Sequence, residues 1–411
     1  MVTDQFRELA SAEAKALGIP ELPLVVIPHP VGGLKEPDVS KRADWAFKEI
    51  ARYLKSEEGS AGGDDSAKGG PIQFSISKDA DIQQSFFYNK GWTDGLPVVL
   101  PTPDRVRQMI GSVDREPDEV LGLIPPAWGE STVLKVAINA VMAGCLPSYF
   151  SVVLAAVEAL LEEKFNLYGV QTTTHPGSPL VIVNGPLARE LDINCKGNCF
   201  GQGWRANATI GRAVRLVLQN VGGAVPGKLD KATMGHPGKY TYCIAENEAL
   251  SPWAPLHVDR GFDPFASTVT VVAAEAPQNI NDHGSISAEG ILTTICGTLA
   301  HTGHNNLYWA SDLFVVIGPE HAATIAADGY SKQDVKEYIY DHARVPVNKI
   351  SPGQLENYLS GLTDADYIGP DRTVRVVKTI DDINVIVAGG PGKHSMWVPT
   401  FISYSVTKQI K

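Results

Sequence analysis

A chain of 411 residues, 44% hydrophobic and 20% charged, is long enough for two or three globular domains with sizeable cores. Its net charge of −11 argues against a nucleic-acid partner. No apolar run reaches the length of a membrane span and the first residues are polar, so neither a membrane partner nor a secretory signal is expected. Five cysteines scattered along the chain give no disulfide framework, and the simplest expectation is a reducing, cytoplasmic setting.

The first 55 residues read as helix–strand–helix. A helix spans about Asp4 to Leu17, Leu22–Ile27 forms a buried strand, His29-Pro30-Val31-Gly32-Gly33 a loop, and a second helix runs from about Pro37 to Leu54. One strand makes no sheet, so this partial α/β unit is expected to complete a sheet formed elsewhere. Residues 56–70 are nearly free of apolar side chains and read as a flexible linker. Residues 71–411 then form a large α/β domain, open to division into two subdomains.

Gly91-Trp92-Thr93-Asp94-Gly95 is a turn before an expected strand, and Trp92 and Asp94 are open to either pocket-lining or packing roles. Helices are expected from Ser131 to Gly144, with Ser131 as N-cap, from Ser148 to Lys164 and from Ser287 to Ala300. Three continuous apolar strands end in Gly-Pro: 179–186, 313–319 and 384–391. Strands of this kind are buried on both faces, which predicts a doubly wound α/β fold with ligands beyond the strand ends.

The densest polar chemistry lies in residues 204–246. An amphipathic helix buries Ile210, Ala213, Val214, Val217, Leu218 and Val221 and stops at Gly222-Gly223. Arg205, Asn207, Arg212 and Arg215 lie on it; Lys228, Lys231, His236, Lys239, Cys243 and Glu246 follow. Arginines at the edge of a core stripe require anionic partners, either a structural carboxylate or a small bound anion. Cations gathered in one segment of an acidic chain favour a pocket for a small anion. A thiolate at Cys243 would be activated by Lys239 and His236.

Other loops carry candidate groups. Thr174 and His175 precede a strand and offer substrate contacts. Asn281-Asp282-His283 lies between the strand 268–274 and a helix start, where His283 would be a neutral general base. A similar polar turn, His301 to Asn306, follows that helix. Gly389-Gly390-Pro391-Gly392 is not a P-loop, since Val387 replaces its first glycine, yet Lys393, His394 and Ser395 suit an anion. Cys195 and Cys199 lack the two-residue spacing of zinc or redox pairs, so no metal site is assigned and the cofactor is left open.

Several phrases, GWTDGLPVV (91–99), NAVMAGC (139–145), WRANATIGRAVRL (204–216), GHPGKYTYCIAENE (235–248) and NDHG (281–284), resemble a bacterial family found beside, or fused to, the UGSC family. That small domain is named for a Sec/Cys-Gly-Ser-Cys signature. VTDQF (2–6) and LPLVVIPHPVGGL (22–34) resemble its C-terminal half. The signature itself is absent, so the resemblance implies a small partner subunit that carries the reactive half, and a hetero-oligomer. The reading that follows is one subunit of an enzyme for a small anionic substrate, with a partner's thiol or selenol as nucleophile in redox chemistry or carbon–heteroatom cleavage. A metal-dependent lyase or hydratase and a non-catalytic scaffold are the alternatives.

Overall fold

The computed structural model describes residues 1–55, 73–359 and 372–411. The expected linker at 56–70 lies outside them. The N-terminal unit has helices Arg7–Ala16 and Glu36–Lys55, and its sheet is a parallel pair, β1 (Val2–Thr3) with β2 (Val26–Ile27). The expected single strand is thus shorter and has one neighbour, recruited from the residues before the first helix. Its core is small: Val25, Ile27 and Ala46 pack as one cluster. Trp45, Phe47, Leu17, Ile19 and Leu22 are exposed.

No strand follows Gly95; the first strands of the large unit are the antiparallel hairpin β3 (Val120–Ile124) and β4 (Gly129–Thr132). Because β4 takes Ser131, the next helix starts later than expected, at Val133, capped by the Thr132 hydroxyl and closed by Gly144 at φ 92°. The helices Phe150–Leu160 and Ala288–Leu299 fall inside the expected ranges, the second capped by Ser287.

Two four-stranded sheets form the centre. In chain order their strands are β5 (Ser178–Asn184), β6 (Cys243–Ala245), β7 (Thr268–Ala274), β8 (Gln278–Asn281) and β9 (Leu313–Ile317). A small separate pair, β10 (Arg344–Pro346) and β11 (Thr373–Arg375), precedes β12 (Ile383–Val387), β13 (His394–Val398) and β14 (Val406–Gln409). One sheet has the order β14-β7-β5-β6 and the other β12-β9-β13-β8. In each, a central strand (β5 or β9) has a parallel neighbour on one side (β6 or β12) and an antiparallel one on the other (β7 or β13). The outermost strand, β14 or β8, is antiparallel to the latter. The halves are therefore topologically equivalent and exchange edge strands: the chain leaves β7 to start β8 in the other sheet, and leaves β13 to return as β14.

Alternation along the strands shows how the sheets stack. Val181, Val183, Val269 and Val271 face the helices Val133–Ala143, Phe150–Leu160 and Arg205–Asn220. Leu313, Val315, Val385 and Trp397 face the helices Ala288–Leu299, Pro319–Ala327 and Lys332–His342. Between the sheets lie Leu180, Ile182, Ile244, Val272, Phe314, Val316, Ile386 and Val398. The α/β molecule is thus a helix–sheet–sheet–helix sandwich, which corrects the doubly wound expectation. An apolar strand with helices on both faces and one with a helix on one face and a sheet on the other carry the same residues.

Equivalent Gly-Pro turns end β5 and β9 and start the helices Pro186–Glu190 and Pro319–Ala327. A Cβ on Gly185 would lie 2.2 Å from the carbonyl oxygen of Ala266, and one on Gly318 2.0 Å from that of His394. Gly318→Ala should therefore force the start of β13 away from β9 and cost about 1–3 kcal/mol, the scale of core overpacking. Urea denaturation checks this, and a change below half a kilocalorie would mean that the strand shifts freely.

Candidate functional site

The helix Arg205–Asn220 buries the predicted face, but its polar residues serve the fold more than expected. Arg212 makes a two-pronged ion pair with Asp94, Nε to Oδ2 at 2.7 Å and Nη2 to Oδ1 at 2.8 Å. It also donates to the Pro97 carbonyl at 2.9 Å. Asp94 and Arg212 therefore satisfy each other as a half-buried ion pair. Trp92 packs among Phe74, Phe86 and Phe87 with ring centroids 5.7–6.0 Å apart, a structural role. Arg205 donates through Nε and Nη2 to the Gly144 carbonyl, tying two helices. The amide of Asn207 is buried against the backbones of Asn194 and Cys243. These two are also corrected: in each case a backbone carbonyl or amide takes the place of a ligand.

Arg215 differs. It is buried, donating to Gln171 Oε1 at 3.3 Å and Ser178 Oγ at 3.1 Å, while its Nε has no hydrogen-bond partner. Burial pulls its pKa down, with Asp230 opposing. Asp230 is itself gripped by Lys239 through both carboxylate oxygens, at 2.9 and 2.7 Å. The group therefore holds two cations and one carboxylate.

Next to it stands His236. Its Nδ1 accepts the Gly238 amide at 3.1 Å, so the buried Nε2 carries the proton. Burial lowers the pKa of His236 to about 4; a hydrogen bond to the Ala274 backbone opposes it most, Lys239 and Arg215 lower it further, and Glu275 opposes them. The neutral ring thus keeps an N–H donor in a region of positive potential.

Glu275, the residue after β7, completes the cluster. Its Oε1 accepts from His175 Nε2 at 2.8 Å and Asn305 Nδ2 at 3.3 Å, leaving Oε2 without a bond among the described residues. The Gly177 amide donates to His175 Nδ1 at 3.0 Å, which fixes the tautomer that donates to Glu275. Phe401 stacks on the imidazole at 4.2 Å. A carboxylate oriented by two donors, with one oxygen free, has the geometry of a general base. Thr174 is exposed, and only its carbonyl is engaged, by the Thr233 amide. The structure therefore gathers His175, Arg215, His236 and Lys239 and adds Glu275, Asp230 and Asn305. Glu275 escaped the sequence reading because it is a lone carboxylate at a strand end; the rule that ligands lie beyond strand ends was the available signal.

A second cluster forms where β8 pairs with β13, bringing residues 281–283 to residues 393–395. His283 Nε2 lies 3.1 Å from His394 Nε2, and His394 Nδ1 meets Asn279 Oδ1 at 3.0 Å. Both rings are exposed, as is Asn281. Lys393 reaches the Ser285 carbonyl at 3.3 Å. Asp282 does not orient His283: its carboxylate accepts from the Ser285 amide at 2.8 Å and the Thr294 hydroxyl at 2.7 Å. Burial raises its pKa, but these bonds prevail and hold it at about 2. Ser395 is buried, bonded to the Gly318 amide and to His321 Nδ1, so it is structural and not a substrate contact.

Cys243 is corrected as a catalytic residue. It lies in the apolar cluster on the helix side of its sheet, and burial, reinforced by nearby Cys145, pushes its thiol far up. Burial likewise raises Cys145 and Cys296 to about 12 and Cys199 to about 11; Cys195 is half-buried and also raised. None of these thiols is poised as a nucleophile. Among the described residues, no three His, Cys, Asp or Glu side chains converge as a metal cage, and no helix is long and apolar enough to cross a membrane.

Residues 1–56 match the model of the UGSC family. The association with that family is carried by the N-terminal unit, which leaves Leu17, Ile19, Leu22, Trp45 and Phe47 exposed. No curated protein and no solved structure matches the chain.

Proposed function

We propose that this chain is one subunit of a heteromeric enzyme acting on a small anionic substrate. A partner polypeptide with the Sec/Cys-Gly-Ser-Cys half of the UGSC domain docks on residues 1–55 and supplies the nucleophile. The large unit binds the anion at Arg215 and the Nε2–H of His236, and Glu275, aligned by His175 and Asn305, moves a proton at its Oε2. The carboxylate can take the proton from the partner's thiol or selenol as it attacks the carbon–heteroatom bond and pass that proton to the departing heteroatom.

The observation that carries this reading is a mismatch. Residues 1–56 match a family named for a reactive chalcogen yet contain no cysteine, and every thiol elsewhere has a raised pKa. The same segment leaves Trp45 46% and Phe47 72% exposed, and Trp45 helps line an open cavity of about 390 Å³ with Val26, Ile27, Lys41 and Arg42. Trp45 and Phe47 flank the buried Ala46 on their helix and offer apolar contacts to a partner beside the two-stranded sheet.

Co-expression with a polypeptide bearing the Cys-Gly-Ser-Cys half tests this. The two should co-elute from size exclusion, and Trp45→Asp with Phe47→Asp should abolish co-elution while changing the chain's own stability by no more than about 0.5 kcal/mol. Co-elution that survives the double change, or its absence in the unmodified pair, sinks the proposal. A second reading, a lyase or hydratase acting without the partner, draws on the free Oε2 of Glu275. It requires turnover by this chain alone that Glu275→Gln removes. The scaffold reading requires that partner-dependent turnover survive that same substitution.

A further inference from the structure

The contact between His283 and His394 belongs to neither the cation cluster nor the docking face. Two imidazoles on a solvent-exposed strand edge gain little from an N–H···N bond, since water replaces it readily. Yet the two rings are held in place. His394 opens β13, paired in register with Asn281 of β8, and His283 lies two residues further along. The intervening Asp282 is anchored by Ser285 and Thr294 at the start of the helix Ala288–Leu299. Asn279 Oδ1 meets His394 Nδ1; as an acceptor it requires the proton on Nδ1 and leaves a lone pair on Nε2. The Nδ1 of His283 has no hydrogen-bond partner among the described residues, so that ring too is free to carry its proton there and present Nε2 as a lone pair.

The spacing then becomes informative. Metal–imidazole bonds are about 2.0–2.1 Å long, so two cis ligands on one ion lie about 2.9 Å apart at a right angle and about 3.4 Å apart at the tetrahedral angle. The observed 3.1 Å falls between these limits. Imidazole nitrogen selects zinc, copper, nickel or iron over magnesium or calcium.

We propose that His283 and His394 chelate a divalent transition-metal ion through their Nε2 atoms. The remaining coordination positions face solvent and are open to water or to an anionic ligand. This site is independent of the partner subunit and of the Glu275 cluster.

Calorimetric titration of the full, metal-free chain without a histidine tag, with Zn²⁺ at pH 7.5, tests it. One equivalent should bind, and His283→Gln and His394→Gln should each weaken that binding at least tenfold. Asn279→Ala, which spares both ligands, should weaken it about tenfold, the scale of an outer-shell loss. Electron paramagnetic resonance of the unmodified chain with one equivalent of Cu²⁺ should show hyperfine coupling to two nitrogens, a readout that no folding defect in a variant affects. No saturable Zn²⁺ binding, equal binding in the double variant, or a copper signal without two nitrogens overturns the proposal.

Discussion

Asp94→Ala should lower the free energy of unfolding by about 3–5 kcal/mol, the range for breaking a buried ion pair by removing one partner. Only 5% of the Asp94 side chain and 14% of the Arg212 side chain are accessible, so the guanidinium left behind would have little water to replace its two carboxylate bonds. The turn containing Asp94 is clasped by the same helix at further points. Gln219 donates to the carbonyls of Gly91 and Thr93, and Asn220 donates to that of Trp92. Loss of the carboxylate therefore loosens a whole turn. Arg212→Lys should cost less, because the ammonium keeps the charge and loses only the planar fork. Chemical denaturation of the three proteins decides it. A loss below about 1 kcal/mol for Asp94→Ala would show that the pair adds nothing beyond its desolvation.

That pair also shows where sequence reasoning stopped. An arginine beside a core stripe announces an anionic partner, but this partner sits 118 residues away in a turn whose Asp-Gly was itself legible. Neither residue signals that it has found the other. The His283–His394 contact spans 111 residues in the same way. Its two loops were legible as separate polar turns, and the pairing of β8 with β13 that joins them was not. Long apolar strands such as Leu313–Ile317 were legible because burial on both faces leaves no polar alternation. What covered the second face, a sheet and not a layer of helices, leaves no trace in composition. Local rules also failed where tertiary pairing won: Ser131 is a good cap by type, but the β3–β4 hairpin takes it and passes capping to Thr132. Cys243 was misread for the converse reason, since a basic segment implied activation and its strand turns the thiol into the core.

Glu246→Gln should stabilise the protein at pH 8 and leave it unchanged near pH 4.5. Glu246 follows β6 and is 3% exposed; its Oε2 accepts from Asn184 Nδ2 at 2.7 Å and from the Leu256 amide at 2.9 Å, while Oε1 is buried without a partner. Burial raises its pKa from 4.5 to about 7 against the opposing influence of Lys332, Leu256 and Asn184, and neighbouring Glu248 adds to the rise. Below 4.5 the folded and unfolded chains both carry the proton, and the group contributes nothing to the pH slope. As the pH rises from there, the unfolded chain releases its proton and the folded chain keeps it, so stability falls. The fall ends once the folded carboxyl ionises near 7. A difference of about 2.5 pH units at 1.36 kcal/mol each is about 3 kcal/mol, all of it missing from the wild type at pH 8. Glutamine keeps an acceptor for Asn184 and Leu256 and never ionises, so the variant should not show this loss. Urea denaturation of both proteins at pH 5, 6, 7 and 8 isolates the effect, because every other titrating group cancels in the difference. Two parallel stability profiles would show that Glu246 ionises in its ordinary range and that water or an ion reaches Oε1.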